Sequence, residues 1–446
     1  MNVRIIALIA SLFVLFCSCK QPPAEDSARY RYQTVHSDKH SQFSRDFVKE
    51  YQDWNWTFVG PNVQPEELNP GSMALPTYAV GRGNGTGRIN RLVLDPNHPK
   101  RLFACSPTGG LFVTRDHGKS WVSGGTDGLP ISGVAAVTPH SKKKKTWFLC
   151  TGDSDDNFMY SDGVWRTEDE GLNYVCINGI NGINASCHFQ RQVFSSDILY
   201  PRGLENTLIH VGSFGVKVSN NAMDPPAEVK WKQVRQSHYY DIAQHPSLDS
   251  VIVASGQNMI ITIDGGESWN RIKYPIQPDD FKFPFVRMNV EWSGTNENIL
   301  FVTYTRSTQL SQGSAGEAFL YRYHWKKKEW TQIRSLKKGM NNVIPTRARA
   351  FAVSPVNDSL ILCGNVKPVF RSTDGGKNFE KIAPRQMHDD IHHLVFEPNG
   401  KTVWASHDGG VSVSHDSGVT FQKMDNGIGA ANIFGMAVGQ EEEEAM

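Results

Sequence analysis

Acidic and aromatic side chains that could bind a ligand are concentrated in one short segment, Asp153-Ser-Asp155-Asp156-Asn-Phe158-Met-Tyr160. Carboxylates accept hydrogen bonds from sugar hydroxyls or ligate a cation, and aromatic rings stack on sugar faces. We therefore predict that this segment binds a ligand, with a weakly held cation at Asp153, Asp155 and Asp156 as one version of that site. The alternative is a solvated acidic loop that binds nothing.

A second set of polar side chains recurs at corresponding places along the chain. Internal alignment puts Arg88, His238, Arg347 and Asp390 at one level and Asn90, Tyr240, Arg349 and His392 at the next. Such residues would line a polar funnel that holds anionic or hydroxyl-rich ligands through forked guanidinium contacts, unless the funnel contains only water. The predicted ligand-binding residues are Arg88, Asn90, Asp153, Asp156, Tyr240, Arg347, Arg349, His392, His407 and Asp408.

Acid–base catalysis on a glycoside would require two opposed carboxylates, roughly 5 to 9.5 Å apart. The candidates are Asp153, Asp155, Asp390 and Asp408, but the sequence does not show that any two of them face each other. The histidines have no metal-ligand spacing. The sequence therefore predicts no cofactor and no metal site beyond the weak cation site above.

The elements that must position these side chains form a repeat. One unit begins at Ile89 and contains four short apolar strands separated by turns rich in Gly and Pro. The first strands of the further units begin near Val134, Ile198, Ile242, Val290, Phe351 and Leu394. A four-stranded unit of this kind cannot bury both of its faces alone, but units packed around an axis can. We therefore predict an all-β, seven-bladed β-propeller of four-stranded antiparallel blades.

The turn between the third and fourth strands carries the strongest signal. A Ser or Thr, an Asp two residues later, a Gly and an aromatic residue recur in register in five units, around Asp116, Asp169, Asp264, Asp374 and Asp416. The carboxylate accepts turn amides, Gly supplies a positive φ, and the ring covers the hairpin. The third unit, with Asn221 before Trp231, and the fifth, with a Lys-rich turn before Trp330, lack the motif. We predict a structural role for these turns, on the face away from the funnel.

Such turns are Asp boxes, and through them the sequence resembles the BNR/Asp-box propellers, which include sialidases, xyloglucanase-type glycoside hydrolases and sortilin. The likeness is greatest to secreted bacterial sortilin-like and xyloglucanase-like repeat proteins. It rests on Trp56-Thr-Phe-Val-Gly60-Pro61, Gly87-Arg88-Ile89, Thr151-Gly-Asp153 with Gly163-Val-Trp165, and His407-Asp408-Gly-Gly-Val411, and it covers about residues 54–436. Such a superfamily predicts a fold better than a reaction.

The departures from the family narrow the function. Sialidases carry Arg-Ile-Pro where this chain has Gly87-Arg88-Ile89-Asn90, so the resemblance argues against sialidase activity. Related xyloglucanases use two aspartates in a cleft between two seven-bladed propellers, and this chain has length for one. Residues 432–439 either close the ring against the strand at Trp54 to Val59 or lead into a longer, two-propeller protein.

The N-terminal residues predict export. A charged start and the apolar run from Ile5 to Phe16 resemble a signal peptide, and Ser18-Cys19 resembles the end of a lipobox, with Cys19 as the acylated residue. Ordinary secretion and a retained anchor are the alternatives. The predicted organisation is a signal peptide (1–19), a tether with a short helix (20–53), the propeller (54–439) and an acidic tail (440–446).

The sequence predicts no binding or catalytic role for the remaining cysteines and lysines. Cys105, Cys150 and Cys363 occupy matching places in apolar strands and are predicted to be small buried residues. Cys176 and Cys187 flank a short insertion, and the sequence leaves open whether they form a disulfide. The lysines at 142–145 are expected to be a solvated turn.

The composition gives no support for nucleic-acid binding, because 46 Lys and Arg residues nearly balance 45 Asp and Glu residues. The sequence favours a lipid-anchored propeller of a bacterial cell envelope that binds a polysaccharide or an extracellular protein without catalysis. The alternative is a glycoside hydrolase.

Overall fold

The computed structural model describes residues 85–155, 159–178, 193–275, 285–307, 317–336, 350–364, 369–382, 387–388 and 390–430. The chain divides into two compact units, Met1–Lys39 and His40–Met446, and the described residues all belong to the second. They form 28 β-strands and one 3-10 helix, Pro226–Glu228.

Each consecutive group of four strands forms one antiparallel sheet, in sequence order from the inside to the outside. The innermost strands are β1 (Arg91–Leu94), β5 (Val134–Pro139), β9 (Ser195–Leu199), β13 (Tyr239–Gln244), β17 (Phe285–Trp292), β21 (Phe351–Ser354) and β25 (Ile391–Phe396). The second strands are β2 (Leu102–Ser106), β6 (Trp147–Thr151), β10 (Leu208–Gly212), β14 (Ile252–Gly256), β18 (Ile299–Ser307), β22 (Asn357–Cys363) and β26 (Val403–His407).

The outer half of each sheet follows the same order. The third strands are β3 (Gly110–Thr114), β7 (Val164–Thr167), β11 (Gly215–Ser219), β15 (Met259–Thr262), β19 (Glu317–His324), β23 (Phe370–Ser372) and β27 (Gly410–Ser414). The fourth strands are β4 (Val122–Ser123), β8 (Val175–Cys176), β12 (Lys232–Arg235), β16 (Asn270–Arg271), β20 (Glu329–Leu336), β24 (Glu380–Lys381) and β28 (Gln422–Lys423).

The seven sheets form a ring. Their innermost strands contact one another in the order β1, β5, β9, β13, β17, β21 and β25, and β25 contacts β1 again. We number the sheets as blades 1 to 7 in this order. The seven-bladed, all-β propeller predicted from the repeat is therefore confirmed.

The core lies between the blades. Strands β2 and β3 are buried along their whole length, because each blade is covered on both faces by its neighbours, and such strands are continuous apolar runs. Phe103 of blade 1 packs edge-on against Trp147 of blade 2, with ring centroids 5.1 Å apart. Cys105, Cys150 and Cys363 are buried among these strands, as predicted, and burial raises the pKa of the Cys105 thiol to about 12.

The five turns around Asp116, Asp169, Asp264, Asp374 and Asp416, here called the aspartate turns, share one hydrogen-bond scheme. In blade 4, Asp264 accepts hydrogen bonds from Thr262 Oγ1 (2.7 Å), Ser268 N (3.0 Å) and Ser268 Oγ (2.5 Å). Thr262 Oγ1 in turn accepts the amide of Gly266 at 2.9 Å. Trp269 closes the turn and is buried. The Asp264 carboxylate thus bonds groups at both ends of its own turn.

The antiparallel order of the strands assigns the loops to two faces. Connections from second to third strands, and from one blade to the next, lie at one face, here called the loop face. The aspartate turns and the connections from first to second strands lie at the other, here called the turn face.

The ring closes between blades 7 and 1 without exchange of a strand among the described residues, and we call this contact the seam. Gly87 pairs with Ala430 in a parallel bridge, and Thr86 Oγ1 donates to Asp425 Oδ2 at 2.9 Å. Trp121 of blade 1 donates its Nε1 hydrogen to Met424 O at 2.8 Å. The predicted closing strands, 54–59 and 432–439, lie outside the described residues.

Candidate functional site

Six charged side chains meet at the loop-face end of the central channel, and we call them the mouth cluster. They come from blades 1, 2, 5 and 7, and they are Arg88, Asp153, Asp155, Arg287, His392 and Asp408. Arg88 precedes β1, the first two aspartates follow β6, Arg287 and His392 lie near the starts of β17 and β25, and Asp408 follows β26. Strand ends around one axis thus bring together residues that are distant in sequence.

His392 links two carboxylates. Its Nε2 lies 2.7 Å from Asp408 Oδ1 and its Nδ1 lies 3.1 Å from Asp155 Oδ2. Burial and the neighbouring Arg88 oppose the charged form, but the hydrogen bonds to Asp155 and Asp408 outweigh them and raise the pKa of His392 to about 9. At neutral pH both ring nitrogens therefore donate hydrogen bonds, and the ring carries a positive charge.

Asp155 is shared between two cations. Its Oδ1 accepts a hydrogen bond from Arg287 NH1 at 2.8 Å, while Oδ2 accepts from His392. Burial alone would raise the pKa of Asp155, but the charges of Arg287 and His392 lower it to about 2. The Arg287 guanidinium also lies 4.7 Å above the centre of the Tyr240 ring, a cation–π contact that fixes its position.

Asp153 is the most enclosed member of the cluster, with 1% of its side chain exposed. Its Oδ1 accepts hydrogen bonds from Asn90 Nδ2 (2.9 Å) and from the amide of Asp155 (2.7 Å), and Arg88 NH2 lies 3.8 Å from Oδ2. Burial raises the pKa of Asp153, despite the opposing charge of Arg88. Arg88 Nε also donates to Asn90 Oδ1 at 2.7 Å and lies 3.7 Å from Asp408 Oδ1.

The space beside the cluster is small. A cavity of about 20 Å³, enough for roughly one water molecule, is lined by Asn90, Arg91, Ala135, Asp153, Ser154, Asp155, Ser196, Arg287 and His392. No sugar ring fits there with the side chains as they stand. The most exposed member of the cluster is Asp408, at 36%. A large ligand would therefore meet the cluster from the Asp408 side.

A second charged layer lies deeper in the channel. Arg91 NH1 lies 2.6 Å from Asp197 Oδ1. Burial raises the pKa of Asp197 to about 7, although Arg91 opposes this shift. Asp241 accepts a hydrogen bond from Val290 N at 2.9 Å, and burial raises its pKa too. These residues and Arg287 are not among the site residues predicted from the sequence, although each lies on an innermost strand next to a predicted level.

An aromatic pair stands beside the cluster on the loop face. Tyr160, at the end of the segment that begins with Asp153, is 44% exposed. Its ring stacks on Phe194 with centroids 5.4 Å apart and an interplanar angle of 25°. An exposed ring that is held in place by a second ring suits the flat apolar face of a pyranose.

The structure places the predicted site residues in different surroundings. The structure brings together Arg88, Asn90, Asp153, Asp155, His392 and Asp408, with Tyr240 beside them under Arg287. His407 is fully buried and bonds Ser412 Oγ and Gly409 N, so it supports the turn that carries Asp408. Burial lowers the pKa of His407 to about 3. Asp390 lies just before β25 with a φ of 59°.

Several predicted residues cannot be placed in this way. Asp156, Arg347, Arg349, Cys19, which is predicted to be acylated, and Cys187, whose disulfide the sequence leaves open, all lie outside the described residues. Within the described ranges, no group of three or more His, Cys, Asp or Glu side chains is placed to hold a metal ion. In the same part of the chain, no helix is long and apolar enough to cross a membrane.

The comparisons with known proteins concern the fold. No protein-family model matches the sequence, and no curated protein is similar to it. A GH74 enzyme of Niastella koreensis is similar in structure, with a TM-score of 0.55 and 16% identity over 77% of this chain and 54% of that one. An ancestral GH74 enzyme gives 0.55 and 18%, over 76% and 47%.

A third solved structure, the GH74 xyloglucanase from Xanthomonas campestris, has a TM-score of 0.54 and 15% identity over 77% of this chain and 55% of that one. This chain thus spans about half the length of each of these structures. At such identities the likeness is one of fold, a propeller related in architecture to those of GH74 enzymes.

Proposed function

We propose that this protein is an exported, lipid-anchored Asp-box propeller that binds a polysaccharide or an extracellular protein at its loop face without catalysing a reaction. The observation that carries the proposal is the mouth cluster, in which each carboxylate lies next to a cation, together with the exposed Tyr160 ring that stacks on Phe194. A charge-balanced, rigid polar surface beside stacked rings suits recognition. The shared scheme of the aspartate turns supports the likeness to Asp-box proteins.

The state of the aspartates argues against glycoside hydrolysis at this cluster. A general acid must hold a proton near neutral pH and must reach the glycosidic oxygen. The pKa values of Asp155 and Asp408 are lowered, although burial opposes the shift, since both carboxylates bind His392. Asp153 has a raised pKa but is almost fully enclosed. None of the three combines a retained proton with access.

A glycan array combined with a hydrolysis screen tests the proposal. The expected result is binding to one class of ligand without release of reducing ends. Tyr160→Ala should weaken this binding by about tenfold, as expected when one stacked aromatic contact is lost. Leu248→Ala is the matched control, because Leu248 is similarly exposed, at 38%, but lies on the turn face.

Turnover would contradict the proposal. If reducing ends are released and Asp153→Asn or Asp408→Asn abolishes the release, the protein is a glycoside hydrolase. If no glycan binds, we expect the ligand to be a protein. Comparison of Tyr160→Ala with Leu248→Ala in a protein-binding assay then shows whether that protein binds the loop face or the turn face.

The lipid anchor has a separate test in the two neighbouring cysteines. Cys19→Ala should move the protein from the detergent phase to the aqueous phase after Triton X-114 partitioning, because the acylated residue is lost. Cys17→Ala should leave the protein in the detergent phase. A Cys19→Ala variant that stays in the detergent phase would mean that Cys19 does not carry the lipid.

A further inference from the structure

We infer that the mouth cluster is a binding site for the carboxylate group of an acidic, uronic-acid-containing glycan, and that the Asp155 side chain occupies this site in the free protein. The inference rests on the proposed function, which it narrows to one ligand class. It depends on four features of the cluster: its cations, its charge balance, the local structure at Asp155 and the aromatic pair.

The cations converge on one point from three blades. Arg88, Arg287 and His392 all lie within ion-pair distance of a carboxylate in the cluster, and each is mostly buried. Arg91 and Arg287 both line the small cavity, and the Nε of each forms no hydrogen bond among the residues that the structure describes. Buried guanidinium N–H groups without an acceptor favour the arrival of a carboxylate oxygen.

Asp155 supplies one of the negative charges that offset the cations of the cluster. Arg88, Arg287 and protonated His392 face Asp153, Asp155 and Asp408, while the deeper Arg91 is paired with Asp197. Withdrawal of the Asp155 carboxylate leaves one uncompensated positive charge in a poorly hydrated place. One monovalent anion restores the balance, and a uronate carries one such charge per sugar.

Asp155 is the acidic side chain best able to leave. Asp153 is fixed by Asn90 and by the Asp155 amide, and Asp408 lies in the tight turn between β26 and β27. Asp155 lies two residues further along the same connection between β6 and β7 than Asp153, and its carboxylate reaches from blade 2 to Arg287 of blade 5. A ligand carboxylate in its place would make the same two charge-assisted contacts, so the exchange costs little.

The sugar ring has a contact of its own. Tyr160 belongs to the same connection as Asp155, five residues later, and its exposed ring is held flat on Phe194. A pyranose can stack there. This combination favours a uronic-acid glycan over a small inorganic anion.

The test uses trigalacturonate as the probe, with neutral cellotriose and a triglutamate peptide beside it, in calorimetric titrations at low and high salt. Trigalacturonate should bind more tightly than cellotriose, and its binding should weaken as the salt concentration rises. Asp155→Asn should bind trigalacturonate about tenfold more tightly, because the competing internal carboxylate is gone. Arg287→Gln should bind it at least about tenfold more weakly, because the ligand carboxylate loses a guanidinium contact.

Controls separate specific effects from general ones. Arg202→Gln removes an arginine of the turn face that is 52% exposed and paired with Asp249, and binding should stay as in the unmodified protein. Asp155→Ser provides a second variant that frees the same cations if Asp155→Asn fails to fold. Thermal unfolding of each variant checks that the propeller is intact.

The possible failures are distinguishable. Equal binding of cellotriose and trigalacturonate, unchanged in Asp155→Asn, would overturn this inference and leave the proposed glycan binding standing. Tighter binding of triglutamate than of trigalacturonate would overturn the assignment to a glycan. Failure of the unmodified protein and of Asp155→Asn to bind any of the three would overturn the inference, and the array then decides the proposed function separately.

Discussion

At the scale of single residues, His392 is the group on which the mouth cluster depends. It is buried, yet both of its ring nitrogens bind carboxylates on different blades. A neutral imidazole could donate to only one of them. Protonation therefore strengthens the link between blades 2 and 7, and its loss leaves two carboxylates facing a ring that can satisfy only one.

Stability should fall as the pH rises through the titration of His392. The folded pKa of about 9 lies above the ordinary value of 6.5, so the contribution is complete below about pH 6.5 and is lost as the pH rises through 9. A pKa shift of this size corresponds to a change of up to about 3 kcal/mol in the free energy of unfolding. Urea unfolding at pH 6, 7.5 and 9.5 should show this slope, and the slope should be clearly smaller in His392→Gln, where only the part due to other buried groups such as Asp197 remains.

The matched control for this prediction is His98→Gln on the turn face, which should keep the slope of the unmodified protein. An equal slope in the unmodified protein and in His392→Gln would mean that another group titrates in this range.

Residue roles were predictable from the sequence where the repeat is regular. Asn90, Tyr240 and His392 were aligned at one level and do lie near one another around the channel mouth. Arg287 was missed because the innermost strands of blades 4 and 7 carry a register shift near this level, whereas β17 pairs with β18 without one. The missing bulge displaces Arg287 by one position relative to Tyr240 and His392.

At the scale of elements, the aspartate turns stabilise outer strands that are too short to stand alone. β16 has two residues, both exposed, and its attachment to β15 depends on the turn before it. Asp264 ties Thr262 to Ser268 through three hydrogen bonds. Hydrogen bonds of the Ser268 amide and hydroxyl, with those of Thr262 and of the Asp264 amide itself, outweigh desolvation and lower the pKa of Asp264 to about 2.

Asp264→Ala should destabilise the protein by about 1–2 kcal/mol at pH 6, because two or three hydrogen bonds at an exposed site are lost. The lowered pKa means that this contribution is present above about pH 4 and disappears as the pH falls through 2. Chemical unfolding of the unmodified protein and of Asp264→Ala, at pH 6 and at about pH 2, measures the difference in their free energies of unfolding. Glu267→Ala, an exposed change in the same turn, should stay within about 0.5 kcal/mol, and an equal effect of the two variants would refute the role of Asp264.

Blade 3 contains a sixth turn with related hydrogen bonds, although it lacks the sequence motif of the other five. In blade 3, Asn221 Oδ1 accepts hydrogen bonds from Ser219 Oγ (3.2 Å) and Lys230 N (2.8 Å). The turn is longer because it contains the 3-10 helix Pro226–Glu228, which breaks the spacing that a sequence motif requires. Blade 3 therefore has related hydrogen bonds in this turn, but the number of residues between the bonded groups differs from that in the five aspartate turns.

At the scale of the whole molecule, the seam is the contact on which ring closure depends. Every other pair of neighbouring blades is joined by the chain itself, whereas blades 7 and 1 are joined by hydrogen bonds and packing. Trp121, Thr86 and Asp425 carry several of these contacts. The seam could not be predicted from the repeat, since its partners lie more than 300 residues apart. The Trp121 contact itself recurs between other blades, where Trp231 Nε1 donates to Ile177 O and Trp330 Nε1 to Lys273 O, both at 2.8 Å.

Trp121→Phe should loosen the seam, because the hydrogen bond from Nε1 to Met424 O is lost while most of the ring packing is kept. Hydrogen exchange should accelerate in blades 1 and 7 together. Trp269→Phe is the control, since Trp269 Nε1 bonds Gly266 O within its own blade at 3.1 Å, and its effect should be confined to blade 4. Identical exchange profiles would show that the seam is no weaker than the other blade contacts.

The same closure makes the propeller suited to circular permutation. Each of the seven sheets is built from one uninterrupted stretch of sequence, and Gly87 and Ala430 already lie side by side. A short peptide between those two points, with new ends opened in a linker between two blades, would leave every strand pairing that the structure describes as it is. Where the backbone is cut is therefore a free choice for an engineer who wants the mouth cluster next to a fusion partner or far from it.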